Sequence, residues 1–181
     1  MILFIALLFC VLIVYGFYGG TVMNRPILSH GHRRYVAPPF SPSAFYKEIE
    51  QQVDAKKIGN VNIDTVNFSE GGLLSANREY LRIRYKDYFF YVCAAPFGTG
   101  YFVSWWLGDN GHPIRDILVS IPVIGKIFAK KPKTFFEHDT SLMFKETLND
   151  CINDAIEILT NEKGMRGLAD NNWKEYNRMF S

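Results

Sequence analysis

The hydrophobic and polar positions divide the chain into stretches of different period. Residues 1–23 are almost wholly apolar and hold no Asp, Glu, Lys or Arg. At 1.5 Å per residue, roughly 20 such residues cross a ~30 Å hydrocarbon core, and Tyr15 and Tyr18 fall where aromatic rings favour the headgroup boundary. The pattern predicts a retained transmembrane anchor. A cleaved secretory leader is the competing reading, but no Lys or Arg precedes the apolar run as a leader's basic region would require.

Residues 24–40 read as a juxtamembrane linker, because Pro26, Pro38 and Pro39 forbid regular helix. His30-Gly31-His32 within it has no neighbouring Cys, Asp or Glu to complete a metal shell, so both histidines are expected in solvent. Residues 41–181 form the body. Ser41-Pro42 suits a helix start, and Phe45, Ile49 and Val53 at four-residue spacing give that helix one apolar stripe.

After Gly59-Asn60 the period changes to two. Residues 61–68, 78–85, 88–95 and 101–107 are rich in β-branched and aromatic side chains and are separated by short polar or glycine-containing turns, which predicts an antiparallel meander. With Lys86-Asp87 as a two-residue turn, Tyr85 faces Tyr88, Ile83 faces Phe90 and Leu81 faces Val92 on the core side. A long helix over about 140–162 places Phe144, Leu148, Cys151, Ile152, Ala155 and Leu159 on one face, with Gly164 to end it. Residues 133–138 are expected as an added edge strand before it. Trp173, Tyr176 and Phe180 mark a short terminal helix. The predicted fold is α+β: one N-terminal transmembrane helix, then a four- to five-stranded antiparallel meander packed by N- and C-terminal helices.

One apolar stretch in the body fits neither period. Within 114–129, Ile117, Leu118, Ile121, Ile124, Ile127 and Phe128 are interrupted by Pro122 and Gly125, so the segment is too short and too broken to span a bilayer. Lys126, Lys130 and Lys131 lie in it or flank it. An apolar wedge with lysines beside it is suited to resting on an anionic membrane surface, and these nine residues are the expected membrane contact. A core excursion beneath the sheet is the alternative.

Charge supplies the orientation. All 20 basic and 18 acidic residues follow residue 23, so the mean hydropathy of −0.03 averages an apolar end with an ordinarily charged body. Arg25, Arg33, Arg34 and Lys47 all precede Glu48, the first acid in the chain. The positive-inside bias then puts the body in the cytoplasm. Three cysteines in unlike settings agree with a reducing compartment.

The chemistry is sparse. No paired-cysteine motif, HExxH, EF-hand loop, Walker loop or GxGxxG occurs, and no metal or cofactor is expected. A net charge of +2 without a basic helical stripe argues against nucleic acid. Only His112, His138, Asp109 and Asp139 offer themselves as acids or bases, and no nucleophile on a glycine-flanked turn accompanies them. On the second face of the meander, the same register sets Tyr80, Arg82 and Arg84 beside Cys93, Tyr91 and Phe89. Two guanidinium groups one strand step apart could grip a carboxylate or phosphate. The candidate binding residues are therefore Arg82, Arg84 and Tyr91, closed by Trp105 or Trp106.

Two readings follow. The first is a membrane-anchored, non-enzymatic interaction or ligand-sensing module at the cytoplasmic face, with the bilayer and a protein or small anionic ligand as partners; a membrane-associated effector is its narrower form. The alternative is a membrane-surface enzyme acting on lipid or a lipid-linked substrate.

Overall fold

Alternation of apolar and polar residues builds the sheet as expected. A computed structural model describes residues 26–36, 40–69, 77–98, 100–109, 133–161 and 174–177. Strands β2 (Val61–Ser69), β3 (Asn77–Tyr85), β4 (Tyr88–Phe97) and β5 (Gly100–Asp109) form a continuous antiparallel meander. Lys86-Asp87 makes the tight turn, with Lys86 in the left-handed region at φ +51°. Tyr85 pairs with Tyr88, Ile83 with Phe90 and Leu81 with Val92, the register that the hydrophobic alternation requires.

Two further strands extend the sheet beyond β5, giving the order β2-β3-β4-β5-β1-β6. Strand β1 (Ile27–Val36) lies within the stretch read from sequence as a linker. It pairs along its length with β5, so His30 and His32 are half-buried sheet residues and not solvated linker histidines. Strand β6 (Lys174–Asn177) pairs with Ser29 to His32, where the sequence suggested a terminal helix. Both corrections have one cause: each segment is extended because a partner's backbone groups need pairing, a demand that local composition does not record.

Helix α1 (Pro42–Ala55) begins as expected. The Ala44 amide donates to Ser41 Oγ at 3.2 Å, and Pro42 occupies the first turn. Phe45, Ile49 and Val53 are all buried. Helix α2 (Phe135–Asn161) starts earlier than its apolar stripe suggests and takes in most of the residues expected as an edge strand. A capping box explains this: the Glu137 amide donates to Thr134 Oγ1 at 3.2 Å while the Thr134 amide donates to Glu137 Oε2 at 2.7 Å. The signal Thr134-x-x-Glu137 is present in the sequence. Those amide and hydroxyl bonds also hold the Glu137 carboxyl below the usual carboxylate range.

Both helices lie on one face of the sheet and contact each other. Leu81, Ile83, Phe90, Val92, Val103 and Leu107 from the strands close the core against Phe45, Ile49, Leu148 and Ile152. Trp105 lies at the centre, fully buried and stacked on Phe90 at 5.3 Å. Its ring crosses the backbone at Gly31, where a Cβ would come within 2.6 Å of Trp105 Cε2. Among the described residues no helix is long and apolar enough to cross a membrane; residues 1–23 lie outside them.

One side chain ties α1 to two strands. The Tyr46 hydroxyl donates to the Glu79 carbonyl at 2.9 Å and accepts from the Ala94 amide at 3.0 Å. Burial raises its pKa well above the usual tyrosine range, so it stays protonated as a bridge. Tyr46→Phe is expected to lower stability by about 1–3 kcal/mol, because it strands a buried amide with little change in shape. Urea unfolding followed by circular dichroism measures this.

Candidate functional site

The sheet's other face carries the polar and aromatic residues. Across it runs a register row in which Asp64 faces Arg82, Arg82 faces Tyr91, Tyr91 faces Trp106 and Trp106 faces His30. Among the described elements, neither helix packs on this face. Its side chains largely cover one another: Phe89 is fully buried, while Arg84, Trp106 and His30 are partly exposed.

The row is held by two kinds of contact. Arg82 Nε donates to Asp64 Oδ1 at 2.9 Å and its Nη2 donates to Asp64 Oδ2, making a bidentate pair. That bonding holds the Asp64 carboxyl below its ordinary value and raises the Arg82 guanidinium above its own. Ring contacts do the rest. Tyr91 meets Phe68, Tyr80 and Phe89 with centroids 5.2, 6.4 and 4.9 Å away, and His30 lies against Trp106 at 4.6 Å. Such pairs add roughly 0.5–1.5 kcal/mol each beyond burial.

The arginines expected to grip an anion together have different partners. Asp64 takes two of the five Arg82 donors. Arg84 reaches Asn62 through Nη2 and stands 3.9 Å from the Asp64 carboxylate, while its Nε is buried without a hydrogen-bond partner. Arg84 is therefore held less tightly than Arg82 on this face, with its Nε donor unused. Tyr91 and Trp106 share the face with it. Trp105 does not, since it points into the helix-covered core.

The remaining candidates are spread apart. Asp109 is buried and ion-paired with Lys133 at 3.0 Å. His138 and Asp139 lie near the start of α2, and His112 and the expected membrane-contact residues between Ile117 and Lys131 lie outside the described residues. Among the described residues no cluster of three His, Cys, Asp or Glu could hold a metal ion. Both described cysteines are buried, and that burial raises Cys93 and pushes Cys151 up to about 11, so neither is a ready thiolate at neutral pH.

Sequence reasoning missed the contribution of β1. His30, His32 and Arg34 recur at every second position and so project onto the face of Trp106, with His32 stacked on Phe102 at 5.5 Å. Polar residues alternate there, but that alternation alone does not mark a strand without its β5 partner. It also missed Asp64, whose role depends on a strand pairing and not on local sequence.

No family model, curated protein or solved structure matches this chain. The reading of the face rests on its own chemistry.

Proposed function

We propose that this chain is a membrane-tethered, non-catalytic binding module whose second sheet face engages an acidic group on a partner or small ligand at the cytoplasmic side of the bilayer. One observation carries the proposal: the face turned away from both helices presents Arg84, Trp106 and His30 around a buried aromatic floor that includes Tyr91 and Phe89. Arginine, tyrosine and tryptophan over a desolvated floor are the residue types that dominate binding energy at protein interfaces. Arg84 supplies the cation, because Asp64 is bound bidentately by Arg82 and stands 3.9 Å from Arg84. The uncharged run over 1–23 and the basic residues that follow it support the tether and its orientation.

The test uses the full chain extracted in mild detergent, comparing wild type with Arg84→Ala plus Trp106→Ala. Both side chains are partly exposed, so the double variant is expected to melt within a few degrees of wild type. Its co-purifying partner or biological activity should fall at least about tenfold, the loss expected when interface anchors are truncated. A folded double variant that retains full activity and partner yield overturns the reading.

A further inference from the structure

The antiparallel register fixes which structural features share one end of the domain. Ile27, where β1 starts, pairs with Gly108, and the next residue of β5, Asp109, pairs with Tyr88. The Asp109 amide donates to the Pro26 carbonyl at 3.1 Å. The Lys86-Asp87 turn is therefore at this end as well.

The start of α2 is fastened to the same place. The Tyr88 hydroxyl donates to the Glu137 carbonyl at 2.6 Å. Lys133 pairs with Asp109 at 3.0 Å and lies over the Tyr88 ring at 4.5 Å. Beside them, Phe135 and Phe136 are 91% and 72% exposed, and the Lys86 ammonium lies 5.7 Å from the Phe136 ring. Two adjacent phenylalanines so exposed are unusual on a surface that meets only water.

Chain length says what covers them. The apolar run ends at Met23 and β1 begins at Ile27. Four residue steps reach at most roughly 14 Å. If 1–23 spans the bilayer, the Ile27 end of the sheet must lie against the headgroups. The other end of the sheet, at Phe97, is about 30 Å away, the length of one ten-residue strand.

We infer that the domain stands on the membrane by this end, with Phe135 and Phe136 seated at the headgroup boundary of an anionic bilayer and Lys86 at headgroup level. The inference rests on the tether reading above and adds to it an orientation and a contact. Exposed aromatics gain from the interface while a nearby lysine favours anionic lipid. The strands rise away from the bilayer, so the face carrying Arg84 and Trp106 stands upright and open to partners alongside.

Depth-dependent quenching tests this on the full chain in vesicles of phosphatidylcholine and phosphatidylglycerol. Leu12→Cys, Phe97→Cys and Phe135→Cys are each made in a Cys10→Ala background and labelled with an environment-sensitive dye. Cys93 and Cys151 stay in place, since burial shields them, and the background without an added cysteine reports any labelling there. Nitroxide lipid is expected to remove most of the emission from positions 12 and 135 and little from 97. Quenching at 12 without quenching at 135 overturns the inference and leaves the tether standing. Equal quenching at 97 and 135 also overturns it, because the domain would then be lying flat. Absence of quenching at 12 overturns the tether reading, and the inference with it.

Discussion

Trp105→Ala is expected to destabilise the domain by about 3–5 kcal/mol, the range for deleting a fully buried large aromatic. The ring stacks on Phe90 from the same face and lies flat across β1 at Gly31. Its loss empties the centre of the core and uncovers the joint between the meander and β1. Gly31→Ala should cost about 1–3 kcal/mol by overpacking, since the added carbon would meet an immobile ring at 2.6 Å. In the Trp105→Ala background the same substitution should be close to neutral, because the obstructing ring is gone. A double-mutant cycle by denaturant unfolding measures this coupling. Additive costs would mean that the tryptophan does not rest on the glycine.

Gly108→Val is expected to cost roughly 3 kcal/mol or more, and to do so from the opposite face. Phe89 is registered opposite Gly108 and its ring, Cζ foremost, already occupies the space where a Cβ would stand. A valine there must expel the ring, which forfeits the burial of a whole phenylalanine and adds strain. Phe89→Ala with Gly108→Val should recover part of the loss. The measurement is the shift in thermal midpoint among the three variants, and an unshifted midpoint for Gly108→Val would refute the packing described. Each face of the sheet thus has one aromatic ring lying over one cross-strand glycine, an arrangement that relieves the lack of a side chain to pack.

The sequence was most legible where the information is local. Alternation over the four meander strands and the Lys86-Asp87 turn determine the hairpin register, because a slip of one residue would exchange Ile83 and Phe90 for Arg82 and Tyr91 in the core. Ser41-Pro42 likewise marks the start of α1. The start of α2 was legible in principle: the Thr134 and Glu137 capping box outweighs the β-like look of Thr134-Phe135-Phe136. Strand β1 was not legible locally. Nothing in His30-Gly31-His32 announces that Trp105, some 70 residues further on, needs a glycine to lie against. The candidate face was half legible for the same reason. The adjacency of Arg82, Arg84 and Tyr91 follows from one hairpin, whereas Asp64 and His30 join through pairings with other strands.

The sheet order also sets a timetable for biosynthesis. Strand β1 is made early, but its partner β5 is complete only when Asp109 has been added, some 80 residues after Ile27. At about 5–20 residues per second the nascent chain must keep that segment unpaired for roughly 4–16 s. An apolar strand left waiting would invite aggregation. A segment in which His30, His32, Arg33 and Arg34 cluster resists it, as charged edge strands do. The polar composition that makes β1 look like a linker is what lets it wait, unpaired and soluble, for the rest of the domain to be translated.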